Sequence, residues 1–380
     1  MIKYGFDLEE IKSKKKKLEH YLASEYSNIS SSEVESIKKY IDVCDTILYN
    51  FRKDKQSYLY QDEEAYSNIE LINEMKDYIT NDKYSSEHKL VRNIICEKIY
   101  RLNLPRKKDL NIYNVINLSN NECVELVGDM IRKKLGMNHY NVYKSMFINN
   151  PKHIEFSDLY DSCIYSSDTP LNSYVIIKDK NDISKASDLA HEAGHYFASV
   201  SMTNYSNIET SLDEVESIFY EILFIDFLIE ENIEKHDAYN LLYELLEDAV
   251  CQKAAILYAE YSYPIYKLNS VKDFKIMANK YDLYNRTGFS SSRDLLNWIN
   301  TYNEENSFTY IYSTLLVLEL FNQYKINRNK KNVISRYEKF INQIGRVPDF
   351  KLASYINKDY ITFDNFSNLK KYRKKVLDLY

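Results

Sequence analysis

The sequence predicts a mainly α fold with a small β-sheet placed just ahead of one central helix. Three observations predict it. Apolar residues recur at helical spacing through most of the first 136 positions. Between about 137 and 180 alternation replaces that period, and Pro151 and Pro170 punctuate it. From Asp182 or Ser184 onward the helical period returns and holds to the end. Two regions are therefore expected, an N-terminal helical region over 1–136 and a second over 137–380, packed as one unit.

The first helix is expected over Asp7–Tyr26, with Lys14–Lys17 as its solvated face. A second starts within Ser30–Ser32, where Ser30 and Glu33 have capping-box spacing, and runs to about Phe51. Helical patterns follow near Glu63–Ile79 and Ser85–Leu102, and Pro105 then breaks the chain. Ser119–Leu135 has a serine to cap its start and Gly136 to stop it. Tyr174–Lys178, rich in β-branched and aromatic residues, is the best strand. After the central helix, further helices are expected over Ser211–Glu231, Lys235–Tyr261, Arg293–Tyr302, Phe308–Tyr324 and Val333–Ile344. Gly345 and Pro348 separate these from a last helix, Asn365–Leu379. There is no internal repeat and no low-complexity linker.

Composition excludes some classes of function. The formal net charge of −6 leaves no basic excess for nucleic acid. Five scattered cysteines, none in C-x-x-C spacing, make neither a disulfide framework nor a thiolate metal site, and suit a reducing compartment. Met1–Tyr26 is charged and lacks an apolar signal core. The most apolar run, Ile218–Ile229, carries Glu221 and Asp226 and is too short to span a bilayer. A soluble cytoplasmic protein with no membrane partner is expected. The 37 tyrosines carry no functional reading by their number alone.

The chemistry is concentrated in His191-Glu192-Ala193-Gly194-His195. Positions i and i+4 of a helix lie one above the other, so both imidazoles point the same way. Two imidazoles on one face, with a glutamate between them, supply two zinc (Zn2+) ligands and an adjacent general base, Glu192. A third ligand should come from the next helix, whose start reads Ser211-Leu212-Asp213-Glu214-Val215-Glu216-Ser217. Ser211 and Glu214 also have capping-box spacing, in which the glutamate would turn back to the helix start. The upstream histidine pair tips the reading to Glu214 as ligand, with Glu216 second. Ser217 and Glu221 share the face of Glu214 at i+3 and i+7, and Glu221 suits a carboxylate that orients a ligand imidazole. The edge of the strand at Tyr174, Val175 and Ile176 can accept an extended peptide by β-augmentation; the alternative is a plain strand of a small sheet.

These stretches resemble the oligoendopeptidase F branch of the M3, thimet oligopeptidase-like, zinc peptidases. The resemblance rests on Tyr174–Lys178, Leu189–His195, Glu214–Glu221 and Phe308-Thr309-Tyr310-Ile311-Tyr312, with a weaker echo in Gly345–Phe350. It spans Asn172 to the C-terminus. It implies a helical, bowl-shaped fold with a deep channel and one zinc at its floor, cleaving short peptides. By position it implies His191, His195 and Glu214 as ligands, Glu192 as base, and Tyr312 or Tyr310 as donor to the oxyanion. The family's histidine ahead of those tyrosines has no counterpart, since the last histidine is His236; that role is vacant or filled by a residue such as Tyr302. The chain is also shorter than usual members, mostly in its N-terminal half.

The implied reaction is amide hydrolysis by a zinc-activated water, with Glu192 taking its proton and passing it to the leaving amine. Two alternatives stand beside it. One is a protease of the ImmA/IrrE type acting on a single protein partner, which the kernel also resembles but which leaves the long helical tail unexplained. The other is a homologue that captures peptides without cutting them, motivated by the missing histidine.

Overall fold

The computed structural model describes residues 2–3, 6–25, 86–102, 118–158, 162–165, 173–201, 212–301, 304–356 and 365–378, with single or paired positions among 30–41, 72–76, 104 and 114. Most of the helix expected over Glu63–Ile79 lies outside these residues, as do Pro105, Ser211 and Tyr302. In chain order the elements are β1 (Ile2–Lys3), β2 (Phe6–Asp7), α1 (Leu8–Glu25), α2 (Ser86–Arg101), α3 (Asn120–Lys134) and α4 (Met137–Tyr143). A π-helix, Lys144–Ile148, precedes β3 (Ile154–Ser157), β4 (Cys163–Tyr165), β5 (Tyr174–Lys178) and α5 (Ser184–Ser201). Then come α6 (Val215–Glu231), α7 (Lys235–Leu246), a second π-helix (Glu247–Gln252), α8 (Lys253–Ser262), α9 (Val271–Lys280) and α10 (Leu283–Thr287). The chain closes with α11 (Ser292–Thr301), α12 (Glu304–Ile326), α13 (Lys330–Ile341), α14 (Asp349–Ala353) and α15 (Asn365–Leu377). The fold is mainly helical with a small three-stranded sheet, as the sequence predicts.

Residue contacts gather the chain into two compact units, one from 1–63 and 115–201, the other from 64–114 and 202–380. In the first, α3 begins on a full capping box. The Ser119 hydroxyl accepts from the Glu122 amide at 3.3 Å, and the Glu122 carboxylate accepts from the Ser119 amide at 2.9 Å. Gly136 ends it at φ 95°, a left-handed value that favours glycine. Position 136 is thus a junction between two helices of this unit.

The alternation expected from 137 onward is corrected here: residues 137–148 are helical. His139, Tyr143, Met146 and Phe147 stand at helical spacing and are all buried, so packing of one face decides the local structure. Strand geometry begins only at Ile154.

The sheet has the order β3-β5-β4. Strand β5 is its middle strand, parallel to β3 through Ile154↔Val175 and antiparallel to β4 through Cys163↔Ile176 and Tyr165↔Tyr174. The edge role expected of Tyr174, Val175 and Ile176 is not found. Tyr174, Val175 and Ile176 are buried and their strand is paired on both sides, so they offer no edge to a peptide. The edges of this sheet belong to β3 and β4. Helix α5 packs on β4, β5, α3 and α4, and the Asp182 carboxylate accepts from the Ser184 amide at 2.8 Å at its start.

In the second unit α12 packs against α6, α8, α13 and α15. Every residue from 311 to 318 is buried, which is the pattern of a helix enclosed on all sides. The run expected over Lys235–Tyr261 is one path of helix interrupted by the π turn at Glu247–Gln252. That turn is fixed by Arg373 of α15, whose guanidinium meets the Glu247 carboxylate at 2.8 and 2.9 Å with both side chains buried. Arg373→Met is expected to cost about 3–5 kcal/mol in urea unfolding, because it removes the cation from a buried carboxylate. The double variant with Glu247→Met should recover most of that loss. No described helix is long and apolar enough to cross a membrane.

Candidate metal centre

Helix α5 is buried almost throughout. From 183 to 199 only Asp188, His191 and His195 are partly exposed, at i, i+3 and i+7, so one polar stripe runs along an otherwise apolar-packed helix. The two imidazole rings stand 5.0 Å apart between centroids, with their planes at 76°. Both ends of the stripe are held. Asp188 accepts from the Ser162 hydroxyl at 2.9 Å and pairs with Lys180 at 2.9 Å. Beyond His195, Phe197 stacks on His139 at 3.9 Å and Tyr196 meets the Phe147 ring edge-on at 5.7 Å. Glu192 is buried, at 5% exposure.

Helix α6 repeats the pattern. From 214 to 228 only Glu214 and Glu221 are partly exposed, at i and i+7, with the buried Ser217 between them. Glu214 is the N-cap residue of α6, and its own side chain makes no capping hydrogen bond to the helix start. Ser211, the partner in the capping-box alternative, lies outside the described residues. The Ser217 hydroxyl donates to the Glu214 carboxylate at 2.9 Å, and also lies 3.1 Å from its carbonyl oxygen. Glu216 is buried elsewhere on the helix, and its carbonyl accepts from Tyr337 at 3.1 Å.

His191, His195 and Glu214 each present a ligand atom, and the three atoms lie within 4.8 Å of one another. Ligand atoms on a tetrahedron of radius ~2.1 Å stand roughly 3.4 Å apart, so the 4.8 Å grouping is somewhat wider than a closed site. Two neutral imidazoles and one carboxylate are the donor set of a zinc site that keeps its fourth position for water. The residues present fit the metal.

The tyrosines expected to serve the oxyanion separate by exposure. Tyr312 of α12 is buried and stacked on Phe308 at 5.5 Å, whereas Tyr310 is half-buried. Tyr302 lies outside the described residues. One residue was missed from sequence. Lys253, the first residue of α8, places its Nζ 4.4 Å from the centre of the Tyr310 ring. Burial pushes its pKa down to about 8, against the pull of the Glu214 and Asp248 carboxylates. The available signal was a lone cation inside an apolar run, Ala249 to Leu257.

No family model and no curated protein matches the chain. Solved structures do. A chain assigned as a peptidase from Chlamydophila abortus aligns with a TM-score of 0.55 at 14% identity, covering 98% of this chain and 62% of its own. PZ peptidase A, solved with an inhibitor, gives 0.56 at 13% identity, covering 98% and 76%. A chain assigned as oligoendopeptidase F gives 0.58 at 12% identity, covering 98% and 75%. This chain thus spans under two thirds of the first relative's length and about three quarters of the other two. Nearly all of it, helical tail included, has the fold of these peptidase structures.

Proposed function

We propose that the protein is a zinc metallopeptidase that hydrolyses short peptides in the cytoplasm, of the M3, oligoendopeptidase F-like type. The observation that carries the proposal is the convergence of the His191, His195 and Glu214 ligand atoms within 4.8 Å. The shared fold with structures assigned as peptidases supports it. The likeness extends over 98% of the chain, which favours this reading over a compact protease with an unexplained tail.

Bound to these three residues, zinc supplies a Lewis acid and a water that loses its proton near neutral pH. The protein's own groups do the rest. Glu192, one residue from His191, accepts the water proton and returns it to the departing amine nitrogen. Ser217 holds the Glu214 carboxylate in one orientation through its 2.9 Å hydrogen bond. Glu221, two turns along the same stripe, is the carboxylate to receive an imidazole N–H. Tyr310, the more exposed of the two tyrosines, donates to the developing oxyanion, an interaction worth about 2.7–4 kcal/mol in comparable sites. Tyr312 steadies that helix face by stacking on Phe308.

Metal analysis of the purified protein, run beside digestion of a mixed peptide library, tests the reading. About one zinc per chain is expected, with cleavage lost to a chelator and restored by zinc. Cleavage by metal-free protein would overturn it. So would zinc-loaded protein that binds peptides by calorimetry and leaves them intact.

A further inference from the structure

We propose that Tyr337 is a positioning residue of the metal centre: its hydroxyl, bonded to the Glu216 carbonyl, fixes the turn of α6 that follows Glu214 and so raises the affinity for zinc. The proposal rests on the zinc reading of His191, His195 and Glu214, and adds to it a residue more than a hundred positions further along the chain.

The three grouped residues are not carried alike. His191 and His195 lie inside α5, whereas Glu214 is the N-cap residue of α6, just ahead of its first helical position. Helix ends fray more readily than helix interiors. The end that carries Glu214 is braced from α13. The Tyr337 side chain is fully buried there, and its hydroxyl donates to the Glu216 carbonyl at 3.1 Å, two residues past Glu214. A carbonyl oxygen has two lone pairs, so this bond can stand beside the helical one.

The ring of Tyr337 grips the same helix. Its centre lies 4.7 Å from that of Phe219 and 6.4 Å from that of Tyr220. Phe219 in turn meets Tyr324 of α12 edge-on at 6.5 Å. At about 100° per residue, Glu216, Phe219 and Tyr220 fall on the far side of α6 from Glu214, Ser217 and Glu221. Tyr337 therefore holds the helix from behind the stripe that faces the metal. The ring contacts set how α6 packs. The hydroxyl does something narrower: it fixes one carbonyl of the first turn, and with it the rotation of that turn about the helix axis. On the front, the Ser217 hydroxyl meets both the carbonyl and the carboxylate of Glu214. A turn fixed before the metal arrives has less freedom to lose on binding, and the saving appears as affinity.

Tyr337→Phe removes the hydroxyl and keeps the ring. Thr287→Val is the comparison, removing another buried hydroxyl that donates to a carbonyl, that of Leu283 at 2.7 Å on α10, at nearly constant volume. For wild type and both variants, the zinc Kd is measured by competition with a chelator, and the urea midpoint on metal-free protein. The net worth of one hydrogen bond corresponds to about two- to tenfold in an equilibrium constant. Tyr337→Phe should weaken zinc binding by that factor and Thr287→Val should not, although both lower the urea midpoint. A packing role alone would move the midpoint and leave the Kd where it was. Zinc-binding wild type with an unchanged Kd in Tyr337→Phe therefore overturns the proposal and spares the metal centre. An equal loss in Thr287→Val also overturns it, by making the effect one of general stability. Wild type that binds no zinc overturns the metal centre itself, and the role of Tyr337 with it.

Discussion

Glu192→Gln is expected to keep its zinc and lose turnover by roughly 10²–10⁴-fold, the contribution of a positioned general base. The substitution isolates one property. Glutamine has nearly the volume and shape of glutamate, so a residue at 5% exposure on α5 is replaced without a cavity. The stripe of His191 and His195 on the same helix is untouched, and no metal ligand is removed. What disappears is the capacity to accept a proton. The corresponding rise in barrier, about 2.7–5.5 kcal/mol, falls on the chemical step, so kcat and kcat/KM should drop together while KM holds. Single-turnover kinetics beside elemental analysis check both halves. Native turnover in a zinc-replete variant would remove Glu192 from the role of base.

The parts of the protein legible in the sequence are those governed by local rules. His191 and His195 share a face because a helix repeats every 3.6 residues, and the same arithmetic places Ser217 and Glu221 with Glu214. The capping box at Ser119 is a four-residue pattern with its own hydrogen bonds. What escaped depends on partners distant in the chain. Tyr174–Lys178 was readable as a strand, but its neighbours were not. A nearly continuous apolar run is the mark of a strand covered on both faces, and that signal argued against an edge position. The helix at 137–143 is hard to read because seven residues span only two turns, too few for helical spacing to stand out from alternation. The π turn before Lys253 left no trace that periodicity can register. It is held by Arg373, more than a hundred residues away, and Lys253, which lies over Tyr310, follows directly on it.

His195→Ala is expected to abolish zinc binding and hydrolysis with little effect on the metal-free protein. Indirect supporting contacts to metal ligands are worth 10–100-fold in affinity, so loss of a direct ligand should exceed that. His195 is part of a partly exposed stripe, and the neighbouring His139–Phe197 stack does not include it, so its truncation leaves that stack in place. Stability then gives a readout independent of catalysis. Zinc at 100 times its Kd should stabilise wild type by about 2.7 kcal/mol, a gain that His195→Ala forfeits. The same loss is expected of His191→Ala and Glu214→Ala, although they lie on different helices. Side chains that act on one ion are coupled, so a second substitution should remove almost nothing further. Independent, additive losses would mean that the three residues do not share a cation, whatever their 4.8 Å grouping. The double-mutant comparison therefore tests the convergence itself, ahead of any question about which bond is cut.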